Sequence, residues 1–534
     1  MKKKLSAKKR KWIERTVAND RSYKVFLYNR FFTFLGAVLL QLAAFGFLTF
    51  LFVYNSRYAF VVQIVVFGLQ VLFLLYILNR YPRPSAKMGW ILLIVMLPFF
   101  GVPWYFLNGM VQPTRKMRKK LHKAVAENQE KIEAFYGKAE LPQPQNRADA
   151  LTRYLAEQAD YPVFYDGEIK YYKAGEEMFP DMLEALKKAE KFILLEYFII
   201  AHGKMWSEIR TILLEKAALG VQVRIIYDDF GCMTTLPPRY EKYLELLSEN
   251  IKCMTFNDVI PIFALRMNNR DHRKILVIDG KTAFTGGANI ADEYIAEKRR
   301  FGYWKDTGIR VQGDAVSSFT SMFMDMWNAF SKEKEDVTQY LLPREGKRTS
   351  DATTLRIQPY ENSPLDEPNT AETVYADMIN RAQKYVWIFT PYLVLDEYMR
   401  ETLCAAAMRG VDVRIVTPAI PDKKIVYRLT RANYGVLMRA GVKIYEYTPG
   451  FIHAKNMLCD GESAVVGTIN LDYRSLYHHF ENAVYFSGAE AVKDVERDCE
   501  EVFAVSRLCT EKDTRHSLIG KLVDSILRVF ETLL

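Results

Sequence analysis

His272-Arg-Lys-Ile-Leu-Val-Ile-Asp-Gly-Lys-Thr-Ala-Phe-Thr-Gly-Gly-Ala-Asn289 and His453-Ala-Lys-Asn-Met-Leu-Cys-Asp-Gly-Glu-Ser-Ala-Val-Val-Gly-Thr-Ile-Asn470 carry one pattern at one spacing. His272, Lys274, Asp279, Gly286, Gly287 and Asn289 return as His453, Lys455, Asp460, Gly467, Thr468 and Asn470, while the residues between them change. Only seven histidines occur in the chain, so two accidental matches of this length are excluded by composition. The apolar stretches between Lys and Asp read as short strands closing at an Asp-Gly turn, and the next strands end at the Gly-x-x-Asn. His and Lys two apart on a strand share a face. The glycines let backbone approach a ligand, and the following Asn supplies an amide. Each copy is therefore half of an anion site.

The repetition extends on both sides of the motif. Phe192–Ile200, a helical stretch and Gly220–Tyr227 match Tyr385–Leu393, a helical stretch and Gly410–Thr417. The offset is 193 residues at the first strand, 190 at the second and 181 at the histidines, so elements persist while loops vary. An α/β fold follows, of two pseudo-twofold lobes with mixed sheets flanked by helices and one shared active site. The lobes are placed at 146–345 and 346–514, after a basic tail over 1–30, a transmembrane α-helical segment over 31–112 and a basic linker over 113–145. A C-terminal amphipathic helix closes the chain at 515–534, its apolar stripe from Leu518 to Leu534 expected to pack on the catalytic core, with membrane contact as the alternative.

These paired motifs resemble the phospholipase D superfamily. Asn269-Arg-Asp-His-Arg-Lys274 and Gly467-Thr-Ile-Asn-Leu-Asp-Tyr-Arg-Ser475 resemble its bacterial cardiolipin synthase branch. The chemistry can be argued from the residues as well. Phosphodiester exchange needs a nucleophile, a proton for the departing alkoxide, and positive charge on the non-bridging oxygens. One neutral imidazole can attack phosphorus while the other, protonated, serves the leaving oxygen and then accepts the proton of the incoming alcohol. Lys274 and Lys455 would hold phosphate oxygens, and Asn289 and Asn470 would donate to them. The candidate catalytic set is His272, Lys274, Asp279, His453, Lys455 and Asp460, with the two aspartates read chiefly as organising their turns. No metal or other cofactor is called for, because the lysines would repel a divalent cation. The resemblance implies an acid some thirty residues past each histidine to orient its ring, and Asp306 and Glu481 match. It also points to His272 as nucleophile and His453 as acid/base.

Phe31 to Ser56, Tyr58 to Asn79 and Met88 to Thr114 carry no charge, and each is long enough to cross about 30 Å of hydrocarbon. The basic N-terminus (Lys2 to Lys11) and the basic run from Arg115 to Lys123 both claim the cytoplasmic side. Three full crossings cannot satisfy both, so the third run, broken by Pro98, Gly101 and Pro103, is read as re-entrant or interfacial. The catalytic part then faces the cytoplasm from a multi-pass anchor in the cell membrane. A net charge of +10 suits an anionic phospholipid bilayer better than nucleic acid, since the basic run adjoins the membrane segment and no aromatic-interleaved groove is evident. Six cysteines without a C-x-x-C pair suit a reducing compartment. The leading function is a phosphatidyltransferase that joins two phosphatidylglycerols into cardiolipin with release of glycerol. A hydrolytic phospholipase D and a membrane-bound phosphodiesterase or nuclease share its covalent intermediate and differ in the acceptor.

Overall fold

The computed structural model describes residues 59–80, 84–96, 101–102, 105, 114–137, 150–258, 268–344, 355–366, 369–514, 517–529 and 531, with scattered positions between 35 and 50. The first lobe contributes β1 (Glu168–Tyr172), β2 (Phe192–Tyr197), β3 (Gln222–Asp228), β4 (Ile251–Phe256), β5 (Lys274–Ile278), β6 (Thr282–Gly286), β7 (Tyr303–Lys305) and β8 (Gly308–Gln312). The second contributes β9 (Arg356–Asn362), β10 (Tyr385–Phe389), β11 (Asp412–Pro418), β12 (Lys443–Tyr447), β13 (Gly450–Ile452), β14 (Asn456–Cys459), β15 (Ser463–Gly467), β16 (Glu481–Ser487) and β17 (Ser506–Leu508).

One sheet runs β4-β3-β2-β5-β6-β8-β1 and the other β12-β11-β10-β14-β15-β16-β9, with β17 added beyond β12. In each, three parallel strands joined through helices meet an antiparallel set that begins with the motif strand. The sequence repeat is thus a repeat of topology, and both sheets are mixed. Strands β2 and β10 are buried almost throughout, which is why they read as continuous apolar runs rather than alternating ones. The helix Val316–Phe330 packs on β2, β5, β6 and β9, so one buried helix serves strands of both lobes. The central apolar cluster likewise draws Val277 and Phe319 from the first lobe and Val466 and Val484 from the second.

The motif aspartates hold this framework. Asp279 accepts backbone N–H bonds from Glu190, Lys191 and Phe192 at 2.7–2.8 Å, pinning the entry to β2. Asp460 does the same for Gln383, Lys384 and Tyr385 at 2.8–2.9 Å before β10. Both sit at positive φ, 52° and 53°, in the Asp-Gly turns between the paired strands. Arg273, between the motif His and Lys, points to the opposite face by strand alternation. It is 0% exposed and bonds Glu196 of the first lobe and Glu361 of the second, each at 2.6 Å, so a buried charge network crosses between lobes.

Among the N-terminal residues, Ala59–Arg80 and Pro84–Met96 are helices of 22 and 13 residues. Ile77, Trp90, Ile94 and Tyr105 pack together, and a Cβ at Gly101 would come within 2.7 Å of the Ile94 backbone, so the chain returns onto the second helix there. Pro98 and Pro103, on which the re-entrant reading rests, lie outside the described residues, as does most of the run from Phe31. In the longer helix the side chains are continuously described only from 67 to 79. Among the described residues no helix is long and apolar enough to cross a membrane. The stretch expected as a linker contains a 22-residue helix, Arg115–Tyr136, capped by Thr114 and docked on Val316–Phe330, where Asn128 donates to Asp325 at 2.7 Å. The C-terminal helix Leu518–Val529 docks by its polar side: Asp524 pairs with Arg428 at 2.6 Å, and Arg528 donates to the Ala432 carbonyl. Its apolar side, Leu518, Ile519, Leu522 and Ile526, is exposed, contrary to the packing expected from its stripe. All six cysteines are free.

Asp279→Ala strands three backbone N–H groups in a buried turn, and a loss on the order of 3 kcal/mol is expected, seen as a lower melting temperature. Asp460→Ala, in a more exposed turn, should lower it less, and equal melting of both variants and the parent would contradict the assignment.

Candidate active site

The two lobes exchange short main-chain segments. His272 N donates to the Phe480 carbonyl at 2.8 Å, and Phe480 N to the Arg270 carbonyl at 2.8 Å. On the other side β13 pairs in parallel with β7, and His453 N donates to the Lys305 carbonyl at 2.7 Å. In both places the residue after the accepting carbonyl is an acid: Glu481 follows Phe480 and Asp306 follows Lys305. The consequence is crossed pairing. His272 Nδ1 lies 2.8 Å from Glu481 Oε2, and His453 Nδ1 lies 2.7 Å from Asp306 Oδ2. With Nδ1 as donor to a carboxylate, Nε2 keeps its lone pair for chemistry. The resemblance implied that each histidine is held by the acid downstream of it, Asp306 for His272 and Glu481 for His453; the structure corrects the pairing, because the main-chain exchange between lobes brings each acid to the opposite histidine.

The half-sites differ at one motif position, and the geometry explains why. Thr468 donates its hydroxyl to Glu481 Oε2 at 2.5 Å. Its counterpart Gly287 leaves space for the shorter acid, since a Cβ there would lie 2.0 Å from Asp306 Oδ1. Both carboxylates are 0% exposed.

His272 and His453 line one cavity of about 700 Å³ together with Asn289 and Asn470. Asn289 donates to the Tyr294 hydroxyl and Asn470 to Asp472 Oδ2, at 2.8 and 2.9 Å; each amide nitrogen carries a second N–H. Lys274 and Lys455 are buried beneath, with Nζ on the main-chain carbonyl of His272 and of His453 respectively. Asp279 and Asp460 do not line the cavity; their carboxylates are spent on the turns above. Aromatic rings surround His453: Tyr294, Trp304 and Phe451 lie at centroid distances of 5.5, 5.6 and 5.9 Å. His272 is flanked by Phe198 at 4.9 Å and by His479 at 5.6 Å. Arg270, Arg474 and His479 also line the cavity and were missed from sequence.

Burial dominates the electrostatics. It pushes His272 well below the usual imidazole range and His453 down to about 4, with the neighbouring lysines adding to both shifts. It lowers Lys274 to about 7 and Lys455 to about 8, and raises Glu481 to about 8. A phosphodiester anion in the cavity would offset these shifts by favouring the ammonium and imidazolium forms. His272, His479 and Glu481 offer ligand atoms within 4.8 Å of one another. That donor set suits a divalent cation poorly, because His272 Nδ1 is committed to Glu481 and the Lys274 charge bears on the same ring.

Paired imidazoles, ammonium groups and amides around one cavity define the phosphodiester-exchanging class of two-lobed enzymes. A family model described as the cardiolipin synthase, phospholipase D-like domain matches residues 182–327 and 375–503, and the phospholipase D-nuclease N-terminal model matches 68–109. The chain is 33% identical to the cardiolipin synthase of Alkalihalophilus pseudofirmus over 81% of this chain and 86% of that one. It is equally 33% identical to a probable cardiolipin synthase of Bacillus subtilis over 81% and 85%, and 40% identical to an uncharacterized protein of Streptococcus mutans over 86% and 99%. The fold is similar to that of the phosphatidylserine synthase of Haemophilus influenzae, with a TM-score of 0.56 at 14% identity over 72% of this chain and 100% of that one. The chain belongs to the cardiolipin synthase family of phospholipase D-like phosphatidyltransferases.

Gly287→Ala should cost about 10²-fold or more in kcat without unfolding the protein, because the added methyl must displace the carboxylate that holds His453. Circular dichroism beside a rate assay checks it. The depressed lysines set the alkaline limb of the pH profile: the free enzyme loses positive charge as pH rises through about 7 to 8, so kcat/KM should fall there. Lys274→Arg should move that limb upward, and an unmoved limb would exclude Lys274 as its origin.

Proposed function

We propose that the chain transfers a phosphatidyl group from one phosphatidylglycerol to a second and releases glycerol. The observation that carries this reading is the crossed pair of Nδ1-anchored imidazoles, one per lobe, facing a single cavity. His272 Nε2 attacks phosphorus, the P–O bond to the glycerol headgroup breaks, and His453, protonated, gives its proton to the departing oxygen. The phosphatidyl group is then held on His272. The hydroxyl of the second phosphatidylglycerol gives its proton to His453 and attacks phosphorus, the P–N bond breaks, and cardiolipin leaves. Lys274, Lys455, Asn289 and Asn470 supply charge and hydrogen bonds to the non-bridging oxygens through both steps. Asp306 and Glu481 hold the rings.

A lipid on both sides of the exchange calls for a membrane location, with the apolar N-terminal segment as anchor and the catalytic lobes on the cytoplasmic side. Exposed Ile64, Phe67, Leu72 and Met96 on the helices Ala59–Arg80 and Pro84–Met96, and the exposed apolar side of the C-terminal helix, support it. Water at about 55 M would intercept the intermediate unless the second lipid is held close and water is limited, so anchoring also serves the choice of acceptor.

Purified enzyme on phosphatidylglycerol vesicles should yield cardiolipin and free glycerol one to one, with or without chelator. Excess glycerol should drive the reaction backward. His272→Ala and His453→Ala should each lose at least about 10³-fold in rate, since neither half-site carries the full set of groups. Phosphatidic acid as the main product would replace this reading with a hydrolase, and activity that needs an added metal would overturn the mechanism.

A further inference from the structure

The exchange at His272 and His453 accounts for one phosphate, yet the second substrate brings another. Two arginines outside the repeated motif positions, Arg270 and Arg474, line the cavity, whose other charged lining residues are Glu293, Arg300, Asp422, Lys423, Asp472 and Glu531. Arg270 stands two residues before His272, is 1% exposed, and lies over the Phe230 ring at 5.2 Å. Its Nη1 donates to the Asn257 carbonyl at 2.9 Å and lies 3.6 Å from Asp228. Arg474 comes from the other lobe, on the short helix Tyr473–Tyr477 that follows Asn470, near Asp472. The two arginines reach one cavity from opposite lobes, and His479, whose ring neighbours that of His272, lines it too. Around His453 the cavity is walled by Tyr294, Trp304 and Phe451, with Arg300 over Phe301 and Lys423 over Tyr392; Arg270, two residues before His272, and Arg474 add a pair of guanidinium groups.

Two guanidinium groups brought together in a partly desolvated pocket repel each other, and each loses hydration. Asp228 and Asp472 neighbour one guanidinium each, and both carboxylates also accept other hydrogen bonds, Asp228 from Phe230 N, Gly231 N and Asp271 N and Asp472 from Ser475 N and Asn470 Nδ2, so each acid's charge is shared. An anion lying between the guanidinium groups would relieve the repulsion, and a phosphodiester monoanion matches their planar donor forks. We infer that Arg270 and Arg474 form a second phosphate subsite that holds the phosphodiester of the acceptor lipid, so that the attacking hydroxyl arrives on an anionic glycerophospholipid. This inference rests on the proposed phosphatidyl transfer and names how its second substrate is chosen. Water and simple alcohols carry no such anion and gain nothing from the subsite.

The test is competition at the second step. Phosphatidylglycerol vesicles are supplied with ethanol, and the ratio of cardiolipin to phosphatidylethanol plus phosphatidic acid is measured for the parent, Arg270→Gln, Arg474→Gln and Arg474→Lys. Both products come from one intermediate, so the ratio is independent of how much of each variant is folded. Each Gln variant should lower it at least about tenfold, with partial recovery in Arg474→Lys. A ratio unchanged from the parent in both Gln variants would overturn the inference, whatever happens to the total rate. If the parent itself made no cardiolipin, the proposed transfer would fail, a result distinct from an unchanged ratio.

Discussion

The hydrogen bond from each motif imidazole to a carboxylate of the opposite lobe is the interaction on which the site depends. It is set by backbone. The segment entering each histidine pairs with the segment entering the other lobe's acid, through His272 N to the Phe480 carbonyl and His453 N to the Lys305 carbonyl. Neither lobe alone can orient its own histidine. Arg273 repeats the arrangement on the far face of the motif strand, taking one carboxylate from each lobe. A buried guanidinium with three acids around it is costly to half-assemble, so the lobes are held in one register or not at all.

The same burial makes the site responsive to its substrate. Histidines and lysines that water would leave at ordinary pKa values are pushed toward their neutral forms, His272 well below its usual range, His453 to about 4 and Lys274 to about 7. A neutral imidazole is what a nucleophile requires. A phosphodiester anion then restores charge where transfer needs it, so protonation and binding are coupled through one low-dielectric cavity.

Much of this was legible in the chain because the chemistry is written twice at fixed spacing. The repeated order of strand, helix and strand in the two lobes followed from matching runs such as Phe192–Ile200 and Tyr385–Leu393. The turn role of Asp279 and Asp460 follows from their place after a strand and before glycine. What was read wrongly was which acid serves which histidine: each was given the acid downstream in its own lobe, and the structure crosses the pairs. When two copies carry the same pattern, pairing within a lobe and pairing between lobes leave the same spacing in sequence. Arg270, Arg474 and His479 went unread for another reason: a lone arginine or histidine beside a motif has no period of its own, and only the fold brings residues 270 and 474 to one wall. The helix over Arg115–Tyr136 was obscured by its basic character, since its buried face is narrow and includes Asn128. The C-terminal stripe was read for periodicity alone, whereas the salt bridge between Asp524 and Arg428 decides which side docks.

The central claim is that histidines from the two lobes act on one phosphorus, one as nucleophile and one as proton carrier. Rapid alkaline quench of the enzyme with labelled phosphatidylglycerol, followed by mass spectrometry of acid-labile adducts, tests it most directly. The account predicts a phosphatidyl group on His272 that accumulates when His453 is replaced by alanine and is absent when His272 is replaced. An adduct confined to His453 would reverse the two roles, and no adduct on either histidine during turnover would contradict the account.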